Sequence, residues 1–251
     1  MYTNKNFSFI IKKLKYDFRY LSIPCRCCSI LPLSMIIFIL LDSPSYLYGN
    51  ELYSINNISL QKDNFGYLHL FGEIINNSEK SLTNITLSFN FLDHNNNTLG
   101  SYFRAPEIDT LNPHQFSPFE IIYLDHNSVD KVKNYSYDVQ YNISKEKPTL
   151  LKIGHVNNRL DLTGFYYING KITNTGPDRA NNITIIATMF DHNDNIIGIT
   201  KAISEPFSIG HKEIAAFGLA FIDKTISLKI KDYTLQAYSD EYLSNIFTTK
   251  R

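Results

Sequence analysis

The chain has no tryptophan, only three cysteines among 251 residues, and no net excess of either charge. Cys25, Cys27 and Cys28 all precede residue 29, so the long body that follows can hold no internal disulfide, thiolate metal site or cysteine nucleophile. A blue-copper centre is excluded for want of its Cys ligand. The zero charge is unevenly spread. Lys5, Lys12, Lys13, Lys15, Arg19 and Arg26 face only Asp17 in the leader, which leaves the body mildly acidic. Without a clustered Lys/Arg stripe to meet phosphates, nucleic acid is not a partner. Convincing 3.6-residue periodicity is also lacking beyond residue 50, which argues against helices there.

What is present begins with an uncharged apolar run from Cys27 to Leu41, broken by Asp42-Ser-Pro-Ser45. It is shorter than the ~20 residues that usually span a bilayer, and it follows a basic segment as the apolar region of a secretory signal does. Ser43, Ser45 and Gly49 offer cleavage points. An uncleaved anchor, with Tyr46 and Tyr48 at the outer interface, is the competing reading. A third is a buried helix of a cytosolic fold. The first two export the body and make the membrane a partner through this segment. The juxtamembrane cysteines are candidates for acylation beside a chance cluster.

From residue 50 onward the pattern alternates. Leu68, Leu70, Gly72 and Ile74 interleave with Tyr67, His69, Phe71 and Glu73, and Ile85, Leu87, Phe89 and Phe91 with Thr86, Ser88, Asn90 and Leu92. Period two with β-branched and aromatic residues predicts half-buried strands. The outward positions are partly apolar too, as packing against a neighbour would allow. Further strands are predicted at Glu51–Leu60, Thr98–Arg104, Phe116–Leu124 and Tyr135–Ser144. The whole pattern then recurs. Phe91-Leu-Asp-His-Asn-Asn-Asn-Thr-Leu-Gly100 is echoed by Met189-Phe-Asp-His-Asn-Asp-Asn-Ile-Ile-Gly198, an offset of 98 (191 − 93). At the same offset Gly72 meets Gly170, Asn76 meets Asn174, Phe119 meets Phe217 and Tyr135 meets Tyr233. One register over that length means duplication of a whole unit. The expected fold is therefore all-β: two tandem immunoglobulin-like antiparallel β-sandwiches preceded by an N-terminal apolar helix. The expected divisions are a leader with signal or anchor (1–49), repeats at 50–145 and 148–240, and a short tail (241–251). Lys145-Glu-Lys-Pro148 is a short, proline-stiffened junction, which predicts a semi-rigid file.

The polar turns are the first candidate site. Asp93, Asn95 and Asn97, and again Asp191, Asn193 and Asn195, present side-chain oxygens at alternate positions as a calcium loop begins. Thr98 and Ile196 stand where that loop needs Gly, and no Glu closes it. A hairpin in which Asp and Asn bond their own backbone is preferred. The Asp-His pairs at 93–94, 125–126 and 191–192 suggest acid–base chemistry, but neighbours on a strand face opposite ways. No motif marks a nucleophile, so no catalytic residue and no cofactor is expected. Asn-x-Ser/Thr occurs in the body at Asn57, Asn76, Asn84, Asn96, Asn134, Asn142 and Asn182. That exceeds what an Asn-rich chain produces by chance and suits a glycoprotein. Asn84 and Asn182 are favoured because both repeats keep them. Seventeen tyrosines leave room for a sugar-binding platform.

The repeat resembles the FxLYD domain, a β-sandwich module of exported bacterial and archaeal proteins. The likeness rests on Gly72-Glu-Ile-Ile-Asn76 and Gly170-Lys-Ile-Thr-Asn174, followed by Phe89-Asn-Phe-Leu-Asp93 and Ala187-Thr-Met-Phe-Asp191. Leu111-Asn-Pro113 and Ser117-Pro-Phe119 continue it in the first copy, with Ile209-Gly-His211 and Ala215-Ala-Phe217 in the second. Leu92 and Phe190 replace the family's Tyr. The resemblance implies an accessory module at the cell surface and no catalytic residues. The functional expectation is a non-catalytic, exported or membrane-tethered structural or protein-interaction module. The alternative is a carbohydrate- or cation-binding module at the envelope, and the partner is an envelope protein or glycan.

Overall fold

The computed structural model describes residues 52–249. The leader, the apolar run and the helix expected there lie outside the described residues, among which no helix is long and apolar enough to cross a membrane. The fold is all-β. Strands β1 (Tyr53–Lys62), β2 (Leu68–Asn76), β3 (Ser81–Leu92), β4 (Thr98–Arg104), β5 (Phe116–Tyr123) and β6 (Asn134–Ser144) form the first half. The second half contains β7 (Thr149–Leu160), β8 (Tyr166–Asn174), β9 (Thr184–Phe190), β10 (Ile196–Ile203), β11 (Ile214–Phe221) and β12 (Asp232–Tyr238). The short strands β13 (Leu243–Ser244) and β14 (Phe247–Thr248) follow, and one helical turn, α1 (Lys224–Ser227), precedes β12.

In the first half, the sheets β1-β2-β5 and β4-β3-β6 enclose one core. Leu70 and Ile74 of β2 and Phe119 and Ile121 of β5 meet Leu87, Phe89 and Phe91 of β3. These are the alternate inward residues that a period of two places on one face. The second half repeats the pairing through β7-β8-β11 and β10-β9-β12, around Ile168, Ile172, Ile185, Phe217 and Leu235. Here the two sheets are joined. β13 pairs antiparallel with β12 and parallel with β7, making one continuous sheet.

The repeat is written into the backbone. Non-glycine residues with positive φ fall in four pairs at the repeat offset: Asn57 and His155, Asn84 and Asn182, Asn96 and Asp194, His114 and Lys212. Gly66 and Gly164 make a fifth pair. A second constraint fixes Gly72 and Gly170, which pair across strands with Phe119 and Phe217. The Phe119 ring lies 2.5 Å from where a Cβ on Gly72 would sit. Any side chain there would displace the central core aromatic, and Phe217 covers Gly170 in the same way.

The halves are held together by more than the stiff junction from which a semi-rigid file is expected. They form one compact unit, with the outer face of β1-β2-β5 against the outer face of β9, β10 and β12. Phe71, only 5% exposed although it points outward from β2, packs with Phe190 and Ile196. Ser59 Oγ and Gln61 Nε2 donate to the Ile196 carbonyl, and Gln236 Nε2 donates to the Phe116 carbonyl. Lys201 reaches the buried Glu107 carboxylate at 2.8 Å. The linker is pinned as well: Asn112 bonds both the N–H and the carbonyl of Lys147, and the Leu243 N–H donates to the Pro148 carbonyl. Leu243 is buried with the first-half core, so residues after 240 close the second sheet and hold the junction.

Two expectations follow. Leu243→Ala should cost about 2–5 kcal/mol, seen as a lower denaturation midpoint that affects both halves together. The second concerns the first-half counterparts of the covered residues Ile186, Ile196 and Ile199, which are Ser88, Thr98 and Ser101 on an open face. Installing the second-half residues there (Ser88→Ile, Thr98→Ile, Ser101→Ile) should produce concentration-dependent self-association in sedimentation velocity, with the parent chain unaffected.

Candidate functional site

The two polar turns take up the same geometry. Asp93 Oδ1 accepts the Asn95 and Asn97 backbone N–H groups, and Oδ2 accepts the Asn97 side-chain amide. Asp191 does the same with Asn193 and Asn195. The Asn97 side-chain amide, then its backbone N–H, hold the Asp93 carboxyl below its ordinary value. At Asp191 burial pushes the other way and the Asn195 backbone and amide bonds outweigh it. Each Asp is thus spent closing its own hairpin. The third residue of each set points an amide donor, not an oxygen, at the Asp. Among the described residues no group of His, Cys, Asp or Glu is arranged to hold a metal ion.

The sequons separate by geometry. Asn76 is fully buried, its amide donating to the Lys80 and Leu111 carbonyls, and Asn174 repeats this with Asp178 and Ile209. Both are staples that tie a loop to the strand end, not acceptors of a glycan. Asn57, Asn84, Asn96 and Asn182 occupy the positive-φ positions, a conformation Asn tolerates better than most residues. Asn84 sits in a bulge of β3 and is exposed. Asn182, also exposed, donates its amide to Asp240 at 2.7 Å. Retention of these two through duplication therefore has a backbone cause beside any modification. Every described tyrosine is buried or half-buried, so the aromatic content serves the cores and the strand edges.

The cluster with chemical potential lies elsewhere, at the junction of the halves. Asp63 opens the β1–β2 hairpin, with Oδ1 capping the Phe65 and Tyr67 N–H groups as in the other turns. Its Oδ2 then stands 3.3 Å from His69 Nε2, while His69 Nδ1 lies 2.6 Å from Glu120 Oε1 on β5. His69 and Glu120 are diagonal neighbours on adjacent strands, because Phe71 is the direct partner of Glu120. With a carboxylate at each ring nitrogen, both nitrogens serve best as donors, which is the imidazolium form. The Glu120 hydrogen bond is the main cause that raises the His69 pKa. Burial opposes it, and Asp63 adds to the rise. Burial works against ionisation of Asp63, yet the Tyr67 N–H and His69 hold its carboxyl below the ordinary range. The cluster walls a cleft of about 220 Å³ whose opposite side is Ile197, Gly198, Ile199, Phe221 and Asp223 of the second half.

Sequence reasoning singled out other histidines. His94 and His192 are exposed on their turns, and His126 lies against the Tyr67 ring at 4.1 Å. His69 read as one more alternating residue. The signal that finds it is a mismatch between copies: His69, Phe71 and Glu120 correspond to Tyr167, Asn169 and Gly218.

The sign of the pH dependence follows. A histidine whose folded pKa is raised contributes stability that is fully present below its unfolded value near 6.5 and is lost as pH rises through the folded value. The melting temperature should therefore fall on going from mildly acidic to alkaline buffer. His69→Gln should flatten that limb of the profile. An unchanged slope in the variant would assign the dependence to other groups.

No family model and no curated protein matches the sequence. Among solved structures, an Amycolatopsis orientalis exo-chitosanase aligns at 10% identity over 78% of this chain and 26% of that one, with a TM-score of 0.29. A red sea bream transglutaminase aligns at 11% identity over 77% and 31%, with a TM-score of 0.26. A Kluyveromyces marxianus β-glucosidase aligns at 6% over 78% and 47%, with a TM-score of 0.21. The chain spans less than half the length of each. At this degree of likeness they carry no argument about what the chain does.

Proposed function

We propose that the chain is an exported or membrane-tethered, non-catalytic protein. Its halves are tandem immunoglobulin-like sandwiches of the FxLYD kind, serving as a structural or protein-interaction module at the cell surface. The observation that carries the reading is what duplication kept and what it changed. Residues identical between copies are framework: Gly72 and Gly170, Asn76 and Asn174, Phe119 and Phe217, and the turn Asp93 and Asp191. Residues facing outward from the sheets have diverged, leaving Thr98 and Ser101 open on one half and Asn169 and Lys171 open on the other. A repeat that preserves its scaffold while varying its faces suits a module that presents surfaces. The basic leader with its apolar run supports export. Asn84 and Asn182 are the glycan acceptors of this reading. Any ligand-binding version rests on the His69 cleft, not on the polar turns.

Protease shaving of intact cells, followed by mass spectrometry, tests this reading. Peptides from residues 50–240 should be released, and peptides containing Asn84 and Asn182 should carry added hexose-type mass. Recovery of the intact body only from the lysed cytosol would sink the proposal.

A further inference from the structure

We propose that the cleft between the halves is a binding site for a small amphipathic cation, an ammonium group on a short apolar chain. Its lining divides by chemistry. Phe71 from the first half and Ile197, Ile199, Phe221 and Ile226 from the second supply apolar walls. Carboxylates come from both halves: Asp63 and Glu120 from the first and Asp223 from the second. Lys62, the one lysine of the lining, is drawn 2.7 Å from Asp130. Even with His69 protonated, three carboxylates against two cations leave the lining net negative, so an anionic ligand would be repelled.

Two acceptor atoms remain. Glu120 uses Oε1 on His69, and Asp223 uses Oδ1 to cap the Thr225 and Ile226 N–H groups of α1. Glu120 Oε2 and Asp223 Oδ2 take no hydrogen bond among the described residues. They belong to different halves, so a cation between them would be held by both. Charge-assisted hydrogen bonds of this type are the stronger class. At about 220 Å³ the cleft is smaller than the roughly 300–1,000 Å³ of drug-sized sites, which limits the occupant to a short chain with one head group. The residues that make the site are also not inherited scaffold. In the second copy the positions of His69, Phe71 and Glu120 hold Tyr167, Asn169 and Gly218, on a face that meets no partner half. Fold alone does not require them.

The cation can come free in solution or as a lysine side chain of a partner protein. Calorimetric titration of the full chain with n-hexylammonium, n-hexanoate, n-hexanol and a capped pentapeptide with one central lysine separates these sources. Saturable binding of hexylammonium, with no binding of hexanoate or hexanol, is expected. Tighter binding of the peptide would assign the site to a partner's lysine. Glu120→Gln should weaken hexylammonium about tenfold, the loss of one charge-assisted contact. Asp223→Asn should weaken it too while keeping an effective N-cap for α1. Melting curves on both variants separate loss of binding from loss of fold. Equal binding of hexanoate, no saturable binding of any cation, or unchanged affinity in both folded variants would overturn the assignment.

Discussion

A single packing contact governs the molecule: Phe71 of the first half set against Phe190 and Ile196 of the second. An outward aromatic on an antiparallel strand ordinarily meets water, because such sheets bury one face and wet the other. Here both faces of β1-β2-β5 are covered, one by its own partner sheet and one by the second half. That covering makes two repeats into one body. It also creates the cleft, since His69 and Glu120 sit beside Phe71 on the same outer face and remain where the apolar contact ends. The linker and the tail follow from it. Leu243 can reach the first core only when the halves are in contact, and Asn112 pins Lys147 of the linker.

The contact is heterologous: it joins one face of the repeat to a different face of its copy. Contacts of this type close only where the rotation completes a ring, so a duplicated unit still carries both faces free at its ends. Left apolar, those ends would add further chains. Each has been changed. The first-half face that corresponds to the covered Ile186, Thr188, Ile196 and Ile199 presents Ser88, Asn90, Thr98 and Ser101. The second-half face that corresponds to Phe71, Glu73 and Glu120 presents Asn169, Lys171 and Gly218. At these corresponding positions apolar residues stand where the other half covers them and polar or small ones where it does not, which disfavours addition of a further chain through this contact.

Much of the strand framework was legible in the sequence. Period-two alternation located the strands, and a single offset located the second copy. The Asp-x-Asn-x-Asn segments read as hairpins because their side chains compete for their own backbone. What stayed hidden depends on contacts between distant residues. Phe71, Phe190 and Ile199 announce an apolar outer face, yet alternation cannot say what covers it. The residues after 240 carry no alternation long enough to read as strands, and β13 becomes one only because it finds β7 and β12 on either side. The His69 cluster draws its members from the β1–β2 hairpin, β2 and β5, so no local motif spans it.

The backbone explains why duplication preserved some polar residues and released others. A residue held at positive φ loses little when it is Asn, Asp or Gly and more when it is bulky or β-branched. Three of the five paired positive-φ positions keep Asn, Asp or Gly in both copies, without regard to what the surface binds. Asn84 and Asn182 satisfy that constraint, and the Ser/Thr two residues on is what adds a sequon to it. His69 and Glu120 satisfy no such constraint, since their counterparts Tyr167 and Gly218 occupy equivalent strand positions without distorting β8 or β11. Repeated polarity in this chain therefore marks structure, and polarity confined to one copy marks the place where chemistry was added to it.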